Sequence, residues 1–119
     1  MVIFLKLNIM KKKNRVRKSL EFQSIIHTGK KIVNPSFVMY YREKKEMENR
    51  IGISLSKKIG NAVQRNLIKR QVRMMCQDLV SFDEYPYDII LIVRFGYKQN
   101  NYETNKNLLE KMLVKATMI

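Results

Sequence analysis

A single histidine, a single cysteine and a heavy excess of cations over carboxylates set the chemistry open to this 119-residue chain. His27 has no second histidine to work with, so a ribonuclease-type pair of histidine acid and base is excluded. No His/Cys cluster has the spacing of a zinc site. His27 reads as a helix-end cation or a surface residue. Asp78, Asp83, Glu84 and Asp88 are near enough in sequence to suggest a two-metal centre, but they fall on different elements without a ligand pattern. They read as loop, cap and surface groups, and no catalytic residue is expected. Cys76 cannot form an intramolecular disulfide; at helical spacing beside Met75 and Leu79, it reads as core packing in a reducing compartment.

The cations are the remaining resource. Lys and Arg number 24 against 10 Asp and Glu, a net charge of +14. Such an excess repels itself in the folded state and calls for a polyanionic partner, nucleic acid first and a membrane surface second. No carboxylate occurs between Glu48 and Asp78, while Arg50, Lys57, Lys58, Arg65, Lys69, Arg70 and Arg73 all fall there. A solvated face would normally mix signs.

The stretch SKKIGNAVQRNLIKRQVR, Ser56 to Arg73, concentrates this pattern. With residues placed about 100° apart from Val63, Leu67, Ile68, Val72, Met74, Met75 and Leu79 fall in the arc from about 0° to 180°. Arg65, Asn66, Lys69, Arg70 and Arg73 occupy about 200° to 340° on the same count. One half of the cylinder is expected to pack on a sheet while the other offers charge to phosphates, for which the planar arginine fork is suited. Lys57 and Lys58 sit where a helix begins, and Asn61 can cap it, making this turn a second phosphate-binding candidate.

The elements that must hold these groups can be read from period and punctuation. After a basic arm, Lys11 to Lys18, Ser19 can cap a short helix carrying Leu20, Phe22, Ile25 and Ile26, closed by Gly29. Lys31 to Arg42 reads as one strand with Pro35 near its start, and Ile51, Ile53 and Leu55 mark the core face of another. The long helix runs from Gly60–Asn61 to about Val80. Tyr87 to Phe95 is apolar on both faces, as in a central strand, and Asn100 or Asn101 can cap a last helix with a stripe of Asn105, Leu108, Leu109, Met112, Leu113 and Ala116. The order α-β-β-α-β-α predicts a layered α+β domain, and 119 residues suffice for one core. The opening MVIFLKLNIM is too short to span a bilayer and lacks the flanks of a signal peptide. Met10 directly before KKKNRVRK suggests a natural start there, with residues 1–9 a non-native or disordered extension and 10–119 the single domain.

The combination GISLSKKIGNAVQRNLIKRQVR closely resembles the signature of the bacterial ribonuclease P protein subunit. The resemblance extends to KKKNRVRKSLEFQSIIHTGKK, VNPSFVMYY, YDIILIVR and NYETNKNLLEKML, and so covers about Met10 to Ala116. It implies a compact two-layer α/β sandwich with a left-handed βαβ crossover, where residue patterns alone would favour a right-handed one. It also implies an endoribonuclease subunit, a hydrolase component of a cytoplasmic ribonucleoprotein in tRNA processing. Its catalytic RNA, with Mg²⁺ bound mainly by that RNA, removes the 5′ leader of precursor tRNA. No organic cofactor, small-molecule substrate or membrane is implied.

Carried over by position, Lys57, Lys58, Arg65, Asn66, Lys69 and Arg70 contact the catalytic RNA and its neighbourhood. Asn61, Arg73 and the arm residues Arg15 and Arg17 complete the RNA-binding set. Phe22, Val38 and Tyr40 line a cleft for the single-stranded leader, although apart from the resemblance Phe22 and Tyr40 read as ordinary core aromatics. Leu67 stands where the family usually has the middle arginine of its Arg-Asn-Arg motif, and Ile26 where a phenylalanine is common. A ribosomal or other structural RNA-binding protein is the alternative; a DNA-binding regulator lacks the helix-turn-helix spacing.

Overall fold

The computed structural model describes residues 12–16 and 18–118. The expected extension, residues 1–9, lies outside them. Helix α1 spans Ser19–Thr28, followed by strands β1 Lys30–Val33, β2 Phe37–Glu43 and β3 Ile51–Ser54. Helix α2, Ala62–Leu79, leads to β4, Tyr87–Val93, and the last helix is α3, Tyr102–Thr117. The strands form one sheet in the order β1-β2-β4-β3. β1–β2 and β2–β4 are antiparallel; β3 and β4 are parallel and are connected through α2.

The strand expected over Lys31–Arg42 is two. Asn34 breaks it: its Oδ1 accepts from the backbone amides of Ser36 (3.0 Å) and Phe37 (2.8 Å), while its own amide donates to the Phe37 carbonyl. An Asx turn followed by proline, which lacks a ladder donor, reverses the chain. The hairpin pairs Lys31 with Tyr40. Ser19 also departs from expectation, since Lys18 occupies the N-cap position of α1 and makes no side-chain cap bond. Gly29 does close the helix, donating to the Ile25 carbonyl. A Cβ there would lie 2.7 Å from the Tyr41 carbonyl oxygen, too close for any other residue.

Alternation along β2 sorts two cores. Phe37, Met39 and Tyr41 are buried with Ile51, Leu91 and Val93 beneath α2 and α3, which contribute Val72, Met75, Cys76, Leu109 and Met112. This is the sheet-and-helix sandwich that the family resemblance implies. On the other face, α1 adds a smaller layer, in which Ile25, Ile90 and Val16 are buried and Phe22, Ile26, Tyr40 and Ile92 pack against them. Cys76 is a fully buried core residue whose thiol is pushed up to about 12 by desolvation.

Buried polar groups tie the layers together. Ser36 donates to Asn105 Oδ1 (2.6 Å), and Asn105 Nδ2 donates to the Tyr97 carbonyl (2.9 Å), fastening the hairpin turn to α3. Asp88, expected among loop, cap and surface groups, is buried in β4. It accepts from the Arg50 amide (2.7 Å) and faces the Arg50 guanidinium, which also pairs with Glu21 of α1.

Candidate nucleic-acid interface

Helix α2 begins at a closed capping box. Asn61 Oδ1 accepts from the Gln64 amide (2.9 Å), and Gln64 Oε1 accepts from the Asn61 amide (3.0 Å). The lysine turn before it, Lys57–Ile59, is capped by Ser56, whose hydroxyl accepts from the Lys58 amide (3.1 Å). These donors are therefore taken internally, and the attraction of the turn for an anion rests mainly on the exposed Lys57 and Lys58. Arg65 folds back over the turn, donating to the Gly60 carbonyl at 2.9 Å.

Along the outer face, Asn66 and Arg70 are exposed, whereas Arg65, Lys69 and Arg73 are half-buried. Long cationic side chains can cover apolar surface with their stems, so partial burial does not remove these residues from the charged face. The packed arc is consequently narrower than predicted and rotated toward the cations. Ile68, Val72, Met75 and Cys76 are buried, but Val63, Leu67 and Met74 are 78%, 51% and 50% exposed. Those three apolar residues form a solvent-facing stripe beside Arg70 that sequence periodicity had assigned to the core.

The N-terminal arm reaches the same region. Val16 donates to the Ile51 carbonyl (3.0 Å), and Arg15 bridges Ile51 in parallel register at the edge of β3. Val16 turns inward to the α1-side core while Arg15 approaches Arg73. Burial, and then the charge of Arg15, hold the Arg73 guanidinium below its ordinary value. A like charge nearby disfavours the charged form of each group, and an anion bound beside them would relieve that. Arg17, the other predicted arm contact, lies outside the described residues.

Among the described residues, ion pairs join Lys13 to Glu48, Arg50 to Glu21 and Asp88, and Lys106 to Asp78. None involves Lys57, Lys58, Arg65, Lys69, Arg70 or Arg73. The acids considered above for a metal centre are dispersed, Asp88 against Arg50 and Asp78 against Lys106. These residues do not fit a Mg²⁺ site, which needs convergent oxygen ligands.

Phe22, Val38 and Tyr40 do converge, on the sheet face opposite α2. Val38 and Tyr40 project from alternate positions of β2, in register with Ile92 and Ile90, and Phe22 descends from α1. Gly52 makes room for the phenylalanine: a Cβ there would lie 2.7 Å from both the Phe22 ring and Ile90. All three cleft residues are half-buried, which leaves part of each accessible. Lys31 places its ammonium 5.7 Å from the Tyr40 ring centroid. Sequence reasoning did not single out Lys31 because the hairpin that sets it opposite Tyr40 was read as one continuous strand.

A basic helix face whose cations make no ion pair among the described residues, and half-buried Phe22, Val38 and Tyr40 on the opposite face of the sheet, characterise a small, strongly basic α+β protein. The sequence model of the ribonuclease P family matches residues 10–117. The ribonuclease P protein component of Mesoplasma florum is 44% identical over 107 residues, covering 89% of this chain and 97% of that protein. The Streptococcus agalactiae component is 43% identical, covering 88% and 96%. A mutant Staphylococcus aureus RNase P protein superposes with a TM-score of 0.80 at 37% identity, covering 98% of both chains. The chain belongs to the ribonuclease P protein family.

Proposed function

We propose that this chain is the RNA-binding subunit of ribonuclease P, working in the cytoplasm with a catalytic RNA that removes the 5′ leader from precursor tRNA. The observation that carries this reading is the α2 face, whose cations make no ion pair among the described residues. Arg65, Asn66, Lys69, Arg70 and Arg73, with Lys57, Lys58 and Asn61 at the helix start and Arg15 and Arg17 on the arm, supply contacts to the catalytic RNA. Phe22, Val38 and Tyr40 receive the unpaired leader, because an aromatic face stacks on any base. Mg²⁺ belongs to the RNA subunit in this reading, and the protein contributes binding and charge screening.

The protein alone is expected not to cleave precursor tRNA in low-salt Mg²⁺ buffer, and addition of the cognate catalytic RNA should restore or improve turnover. Site-specific cleavage without RNA would refute this division of labour. Recovery of ribosomal RNA alone after crosslinking in cells would favour a structural RNA binder.

A further inference from the structure

A groove of about 250 Å³ runs between α2 and the turn Phe95–Gln99, on the α2–α3 side of the sheet and away from the Phe22–Tyr40 cleft. Its lining combines Leu67 and Ile68 with Gln64, Gln71, Tyr97, Lys98 and Asn100, and includes no carboxylate. We infer that this groove takes an unpaired nucleobase of the bound RNA, with Leu67 as the apolar platform and Lys98 as the partner of the adjoining phosphate. The inference rests on the RNA-binding function proposed above and adds a second, separate base site to it.

The amides are held with one end fixed and the other available. Gln64 Oε1 is taken by the Asn61 amide, and Gln71 Oε1 accepts from the Tyr97 hydroxyl at 2.8 Å. Each glutamine thereby keeps its Nε2 donors for a ligand. Asn100 spends its Nδ2 on the Gly96 carbonyl (3.3 Å) and Ser36 Oγ (3.5 Å), leaving its side-chain carbonyl to accept. Donors and an acceptor around an apolar floor match the edge and face of a base.

Charge selects the occupant. The Lys98 ammonium is anchored on the Ile59 carbonyl (2.8 Å) and lies 5.8 Å from the centre of the Phe95 ring, which is 59% exposed. Arg70 borders the Val63–Leu67–Met74 stripe on its other side. A second copy of this chain would bring like charges face to face, whereas a nucleotide brings base and phosphate together. Leu67, the departure from the family's arginine, thus replaces one phosphate contact with a base contact.

The test titrates ¹⁵N-labelled protein with decauridylate, with the same decamer carrying abasic ribose, and with uridine monophosphate, following amide shifts. Decauridylate should shift Leu67, Gln71, Lys98 and Asn100, and the abasic decamer, which keeps its phosphates, should leave Leu67, Gln71 and Asn100 unshifted. Leu67→Ala should weaken that response about 5-fold through lost apolar contact, and Lys98→Gln about 5-fold through loss of a charge-assisted phosphate contact. Equal groove shifts from the abasic decamer would mean phosphate contact only and overturn the base site. Equal affinity for the mononucleotide would overturn RNA as the occupant. Shifts confined to Phe22, Val38 and Tyr40 would overturn the groove while leaving the RNA-binding function standing. No shift anywhere, together with failure to bind the catalytic RNA, would count against that function itself.

Discussion

At the scale of single residues, the least obvious assignment is that of Asp88. Its carboxylate is 1% exposed, yet the β3–β4 register depends on it, because it accepts from the Arg50 amide while its second oxygen faces the Arg50 guanidinium. Arg50 continues to Glu21, so one guanidinium ties α1 to the strand at the centre of the sheet. Removing one member of a buried pair strands the other. Asp88→Ala should destabilise the domain by about 3 kcal/mol or more, and Asp88→Asn less, because the asparagine oxygen can still accept from the Arg50 amide. Urea unfolding of the three proteins measures both; an Asp88→Ala midpoint equal to wild type would show that the pair carries no stability.

At the scale of elements, α2 is fixed at its start by the Asn61–Gln64 box, and the position of the Lys57–Lys58 turn depends on it. Asn61→Ala should cost about 1 kcal/mol of stability and release the turn, weakening RNA binding beyond what Asn61 itself could contribute. Comparison with Lys57→Ala in a filter-binding assay separates the two effects. Much of this element was legible: the period of α2, its asparagine cap, the alternation of β3 and the continuous apolar run of β4 are local signals that tertiary contacts did not override. What periodicity could not give was the rotation of α2. A helical wheel sorts residues by polarity, whereas burial is decided by where the sheet ends, and Arg65, Lys69 and Arg73 are half-buried while Val63, Leu67 and Met74, which the wheel assigned to the core, are exposed. The hairpin was hidden for a related reason. Apolar residues continue on both sides of Asn34, so the Asn34-Pro35-Ser36 turn signal is easily taken as an irregular strand start, whereas the hydrogen bonds of Asn34 make it a reversal. The arm's route beside Ile51 has no local sequence signal, since long-range contacts carry it: the backbone bridge to Ile51, the Asn14 hydrogen bond to the Asn49 carbonyl and the Lys13–Glu48 pair.

For the molecule as a whole, charge sets two opposed responses to salt. The free protein carries +14, and the charge of Arg15 disfavours that of Arg73, so repulsion within the fold should relax as the screening length falls to ~10 Å near 0.1 M salt. Its thermal midpoint should therefore rise between 10 mM and 150 mM salt, concentrations chosen to span that length. The same salt should weaken RNA binding, because each neutralised phosphate releases counterions and lowers the slope of log affinity against log salt by ~0.7–0.9. Arg70→Ala should flatten that slope by about one such step while leaving the fold intact, since Arg70 is exposed and makes no ion pair among the described residues. A midpoint that falls with salt would mean that the Lys13–Glu48 and Lys106–Asp78 pairs outweigh the uncompensated face. A slope unchanged in Arg70→Ala would remove that side chain from the interface, and with it the claim that α2 is turned toward the RNA.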